Sequence, residues 1–125
     1  MSKPKTTNEV NQTRISDVQR YISRHYREEL SLSELAAVAH LAPSTLCHIF
    51  KRMTGRSIFQ YISAVRIQHV KEKLQNTDLT MKAIAYDCGF NTLTNFNRQF
   101  KCLTGCTPTE WRSANANKNN NNKYE

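Results

Sequence analysis

Two stretches of this chain repeat each other, so any fold for it has to use the same unit twice. Gly89 to Arg112 reads GFNTLTNFNRQFKCLTGCTPTEWR. Moved back by 50 positions, its Phe100, Lys101, Thr104 and Gly105 fall on Phe50, Lys51, Thr54 and Gly55. Phe96, Arg98, Thr107, Glu110 and Trp111 fall on Leu46, His48, Ser57, Gln60 and Tyr61 at the same offset. Upstream the offset is 49, with Met81, Ile84, Ala85 and Phe90 over Leu32, Leu35, Ala36 and Leu41, so the second copy carries one added residue in a turn.

The local signals inside the repeat are helical throughout. Ile15, Val18, Tyr21, Ile22 and Tyr26 recur at helical spacing and predict an amphipathic helix from Ile15 to about Arg27. Ser31 with Glu34 forms a capping box that opens a short helix through Leu35, Ala36 and Ala39. Pro43 suits the first position of the next helix, and Gly55 suits its left-handed end. Ser57 with Gln60 opens a long helix from about Ile58 to Gln75, whose packing side is marked by Tyr61, Val65, either Ile67 or Gln68, and Leu74. Thr80 caps a helix carrying Met81, Ile84 and Ala85 that stops at Gly89, and Asn91 or Thr92 caps the following one up to Gly105. Thr107, Pro108 and Glu110 start a last short helix containing Trp111. No stretch alternates like a strand, so the expected class is all-α.

Charge narrows the partner. At 125 residues and 14.5 kDa, with 38% hydrophobic residues, the chain makes one domain or two very small ones. A net charge of +8 favours a polyanion such as nucleic acid. The distribution says more, because no acid occurs between Glu34 and Glu72, or between Asp87 and Glu110, while Lys51, Arg52, Arg56, Arg98 and Lys101 lie in those windows. Both copies are acid-free at the same place. No apolar run approaches a membrane span and the start MSKPKTTNEVNQ is polar, so no membrane partner and a cytoplasmic location are expected.

Chemistry of other kinds finds no support in the residues. With three glycines, no phosphate-cradling loop and no carboxylate pair in a pocket-forming segment, the chain offers no catalytic or cofactor-binding set, and an enzyme is not expected. Cys47, Cys88, Cys102 and Cys106 contain no C-x-x-C pair and read as free thiols, with no metal site expected. Cys102 and Cys106, at the spacing of one helical turn, carry the alternative of a thiol- or metal-responsive switch. His25, His40 and His69 read as surface or satisfied histidines.

The two central helices have matching faces. In the first copy Leu46, Ile49, Phe50 and Met53 share one side, which turns Ser44, Cys47, His48 and Lys51 outward. In the second, Phe96, Phe100 and Leu103 face inward and Thr94, Asn97, Arg98 and Lys101 outward. A short helix, a tight turn and a second helix with a basic outward face is the layout of a helix-turn-helix, whose second helix enters the DNA major groove. Arg98 can donate twice to guanine O6 and N7, Asn97 can pair with adenine, and Thr94 can touch a thymine methyl. His48 can donate to a guanine edge, whereas Ser44 and Cys47 are short and weakly directive, so the first copy is expected to read less stringently. Lys51 and Lys101, with Arg52, Arg56 and Thr92, are the expected phosphate contacts. The intervening helix of about eighteen residues spans on the order of 27 Å. With its flanking turns it can set two recognition helices roughly 34 Å apart, for an asymmetric site of about 20 bp read by a monomer.

The run from Gly89 to Arg112 resembles the signature of the AraC/XylS family of bacterial transcription regulators, and LAPSTLCHIFKRMTGRSIFQYISAVRI is similar to that family's first helix-turn-helix and linker helix. The resemblance covers about Ile15 to Arg112. It implies a homeodomain-like fold of about seven helices, with two helix-turn-helix subdomains joined by a long linker helix, and a transcription activator that touches promoter DNA and RNA polymerase. It assigns base contacts to Ser44, Cys47 and His48, and to Leu93, Thr94 and Arg98, although periodicity puts Leu93 at the edge of the buried side. Arg66 matches a structural position and is expected to be an ion-pair partner at the edge of the core. The implied organisation is a leader (1–13) and an Asn-rich tail (114–125), both disordered, around a first subdomain (14–56), a linker helix (57–76) and a second subdomain (77–113). With no room for an effector domain, the chain resembles small stand-alone members; the alternative is a DNA-binding fragment of a longer, effector-responsive regulator.

Overall fold

The computed structural model describes residues 6–123, with side chains through residue 115. Seven helices follow one another: α1 (Thr7–His25), α2 (Leu32–Ala39), α3 (Pro43–Thr54), α4 (Ile58–Asn76), α5 (Met81–Asp87), α6 (Leu93–Thr104) and α7 (Pro108–Lys123). No strand occurs among the described residues. The chain divides into two compact units between Ile62 and Ser63, inside α4.

In the first unit α1, α2 and α3 pack on one another. The apolar stripe of α1 buries Ile15, Val18, Ile22 and Tyr26, α2 adds Leu35, Ala36 and Ala39, and α3 adds Leu46, Ile49 and Phe50. Ile58 and Ile62 from the start of α4 are also buried, and the Tyr61 ring meets Phe50 edge-on at 5.5 Å. Ser31 Oγ accepts from the Glu34 amide at 3.1 Å, while the Glu34 carboxylate accepts from the Tyr21 hydroxyl at 3.4 Å, so only the serine half of that capping box forms. The Ser57 and Gln60 box is reciprocal, at 2.9 and 3.1 Å. His40 ends α2 in the left-handed region, with φ 56°.

The second unit packs α5 on α6 and α6 on α7. A row of aromatic rings runs through it, with Phe90–Phe96 centroids 5.4 Å apart, Phe96–Phe100 6.2 Å and Phe100–Trp111 6.2 Å. Thr80 and Thr92 cap α5 and α6, each through a 3.1 Å bond from the amide three residues on. Thr107 and Glu110 complete a reciprocal box at the start of α7. A brace that sequence patterning does not reveal is Arg112. Its guanidinium donates to the carbonyls of Leu74, Thr77 and Leu79 at 3.2, 3.1 and 2.8 Å, tying α7 to the C-terminal end of α4, where a cation also meets the negative end of the helix dipole.

Several expectations need correction. The leader, expected to be disordered through residue 13, is helical from Thr7, because Thr6 caps the helix through the Glu9 amide and Asn11, a polar side chain that apolar periodicity does not count, is buried. Residues 1–5, with Lys3 and Lys5, lie outside the described residues. The Asn-rich tail continues α7 to Lys123; it contains no glycine or proline to stop a helix already nucleated at Thr107, and Asn115 donates back to the Trp111 carbonyl at 2.8 Å. Leu103 is exposed at 43%, although it lies within the angular stripe of Phe96 and Phe100. It sits in the last turn of α6, and its counterpart Met53 is only half-buried. Cys102 and Cys106 are not one helical turn apart, since α6 ends at Thr104 and Gly105 takes φ 86° between them.

The packing side of α4 resolves as Ile67, with Gln68 exposed, and Tyr61 and Val65 are half-buried. Its buried residues also include Ile58, Ile62, Val70 and Leu74. At about 100° per residue the buried side turns by roughly 130° between Ile58 and Ile62 at one end and Ile67, Val70 and Leu74 at the other. A single stripe was therefore not there to be read.

Arg112→Ala is expected to lower stability by about 2 kcal/mol, because three carbonyls lose a charged donor. Arg112→Lys should recover less than half of that, since an ammonium lacks the fork that reaches all three. Urea unfolding followed by circular dichroism checks both.

Candidate nucleic-acid interface

The ends of α3 and α6 are built alike. Thr54 Oγ1 donates to the Phe50 carbonyl at 2.7 Å and the Gly55 amide to Lys51 at 2.9 Å; Thr104 and Gly105 repeat this with Phe100 and Lys101 at 2.7 and 2.8 Å. Gly55 and Gly105 take φ 80° and 86°, a region costly to any residue with a Cβ. The starts differ. Thr92 caps α6 with its hydroxyl, whereas Ala42 offers α3 no side-chain cap and Pro43 sets the first turn.

Burying Leu46, Ile49 and Phe50 fixes the rotation of α3 and leaves Ser44, His48, Lys51 and Arg52 exposed with Cys47 half-buried. These five line one shallow concavity of about 500 Å³. Arg56, just beyond the helix, is exposed. In α6 the burial of Phe96 and Phe100 exposes Thr94, Asn97, Arg98 and Lys101, together with Thr92 at the cap. Leu93, in the first turn of α6, is 36% exposed, although at about 100° per residue it lies on the same side of the helix as Phe100. Within each unit, then, Ser44, Cys47, His48 and Lys51 share one side of α3, and Thr94, Asn97, Arg98 and Lys101 share one side of α6.

That side carries donors and cations and no carboxylate. The nearest acid after α6 is Glu110, whose carboxylate accepts from the Thr107 amide at 3.1 Å. This bond, the Thr107 hydroxyl and then the charge of Lys101 hold its carboxyl below the usual carboxylate range. Arg66 is half-buried with its guanidinium 6.0 Å from the Phe90 ring centre, and burial pulls its pKa down from the usual arginine value.

One residue of the face escaped the sequence reading. Asn95, half-buried, accepts from Arg98 Nη2 at 2.8 Å through Oδ1, while its amide donates to Thr92 Oγ1. The signal available was an amide three positions before an arginine on a predicted helix.

The chain matches a family model described as a helix-turn-helix domain over residues 35–114. It is 35% identical over 103 residues to an uncharacterised HTH-type transcriptional regulator of Staphylococcus aureus (strain COL), an alignment covering 82% of this chain and 14% of that protein. The chain thus spans about one-seventh of the length of such relatives. Among solved structures it resembles the C-terminal domain of AraT, a response regulator from Geobacillus stearothermophilus, with TM-score 0.76, 25% identity and coverage of 81% of this chain and 84% of that one. It shares the fold of the DNA-binding domain of AdpA, a global transcriptional factor solved in complex with a target DNA, with TM-score 0.75, 24% identity and coverage of 80% and 90%.

The depressed Glu110 carboxyl contributes stability that is present above the unfolded carboxylate value of about 4.5 and lost as pH falls through its lower folded value. Glu110→Gln keeps an acceptor but not the charge. It should melt below the unsubstituted protein at pH 7, with the gap closing as the pH is taken down past 4 in thermal melts. A gap of constant size from pH 7 to pH 2 would assign the effect to lost geometry.

Proposed function

Because the chain belongs to the family of AraC-type helix-turn-helix DNA-binding transcription regulators, we propose that it activates transcription by setting α3 and α6 into successive major grooves of an asymmetric promoter site of about 20 bp. The observation that carries this reading is the duplication itself: two helices, built alike at their C-terminal ends, each bury an apolar stripe and each expose an acid-free polar face. The 19 residues of α4 extend for about 28 Å, a length suited to half-sites one turn of DNA apart. Base contacts fall to Ser44, Cys47 and His48 in α3 and to Leu93, Thr94, Asn97 and Arg98 in α6, with Lys51, Arg52, Arg56, Thr92 and Lys101 on phosphates. The chain acts as a monomer in the cytoplasm, with RNA polymerase as its second partner.

A second reading has its own support. Relatives several times longer than this chain favour a DNA-binding portion of an effector-responsive regulator. In that case the duplex contacts are the same and the control lies elsewhere.

Arg98→Ala should cost about 1–3 kcal/mol on a cognate duplex and relax preference at one base pair. Lys51→Ala should weaken binding evenly across sequences and reduce the slope of log K against log salt by about 0.9. Mobility shifts with footprinting check both, and protection confined to a single major groove would count against the two-helix reading.

A further inference from the structure

We propose that Asn95 is a positioning residue for Arg98, and that this brace makes the second helix-turn-helix the stringent reader of the two. The inference rests on the reading in which α6 enters a major groove. A bidentate contact to guanine requires the guanidinium plane to be held, and an exposed arginine loses considerable rotamer freedom when it is. Here part of that ordering is done before DNA arrives. Thr92 Oγ1 accepts from the Asn95 amide at 3.1 Å, which fixes the first turn, and Asn95 Oδ1 accepts from Arg98 Nη2 at 2.8 Å, which aims the fork. The bond uses one of the five guanidinium donors, so two parallel donors remain for a base edge.

The first copy has no such arrangement. At the offset of 50 the three positions become Ala42, Thr45 and His48; Ala42 gives no cap bond, and among the described residues no hydrogen bond joins Thr45 to His48. Two helices built alike at their C-terminal ends thus carry one braced and one unbraced reading side chain. Specificity is expected to concentrate in the half-site under α6, with the half-site under α3 contributing mainly affinity.

The test is a duplex library randomised across the protected site, read as the preference ratio for guanine over other bases at the position governed by Arg98. Asn95→Ala should lower that ratio about fivefold while leaving binding to random-sequence duplex within a factor of two, because its backbone amide still meets Thr92. Asn95→Asp restores an acceptor and should recover the ratio even though its charge weakens binding to every duplex. Asn95→Leu keeps the bulk without the acceptor and should behave as alanine does, which separates positioning from packing should the alanine variant be unstable. If Arg98→Ala lowers the ratio and both Asn95→Ala and Asn95→Leu leave it unchanged, the brace is overturned and the reading of α6 stands. If Asn95→Asp fails to recover the ratio, Asn95 touches a base itself and the positioning role is overturned. If Arg98→Ala leaves the ratio unchanged, the role of α6 falls and the brace with it.

Discussion

Burial of one side of α3 and of α6 is the constraint on which the rest depends. Phe50, Phe96 and Phe100 are fully buried, and each contributes about 1.5–3 kcal/mol by leaving water. A helix turns about 100° per residue, so a slip of one position would carry these rings toward solvent and the polar face into the core. The rotational setting of each helix is therefore held by its apolar side, and the side left exposed is set as a consequence. The glycine caps complete this, because Gly55 and Gly105 let the chain turn away immediately after the last useful residue.

The polar bracing around these helices is local and covers particular backbone groups. Ser57 with Gln60 and Thr107 with Glu110 satisfy the amides that open α4 and α7, and Arg112 satisfies three carbonyls where α4 ends. Small units with limited cores gain from such bonds because each buried or half-buried backbone group left unmet is costly. The same economy of means governs function. One supersecondary unit supplies two polar faces, and Ala42, Thr45 and His48 in the first stand where the second has Thr92, Asn95 and Arg98.

Much of the fold was legible because helix signals are local. The capping residues Ser31, Ser57, Thr80 and Thr107, the proline starts and the glycine stops lie within a few residues of the bonds they make, and all of them stand where the spacing put them. The outward residues were legible for a related reason, since a strong aromatic stripe in α6 defines its complement. Expectations failed where burial depends on something distant. Leu103 has the right angle but no cover, α4 has two buried sides that blur each other's periodicity, and α1 begins earlier because Asn11 is buried while polar. The Asn-rich extension of α7 was misread on composition, which does not register that a helix once nucleated continues until something breaks it.

By itself the sequence determined the duplication, the all-α class, the helix order and the acid-free faces, because period, caps and charge are properties of neighbouring residues. Only the tertiary structure decided that Arg112 reaches back to Leu74, Thr77 and Leu79, that Leu93 is left partly exposed, that Gly105 separates Cys102 from Cys106, and that Arg98 donates to Asn95. These depend on where a side chain finds a partner in space, and spacing along the chain does not carry that information.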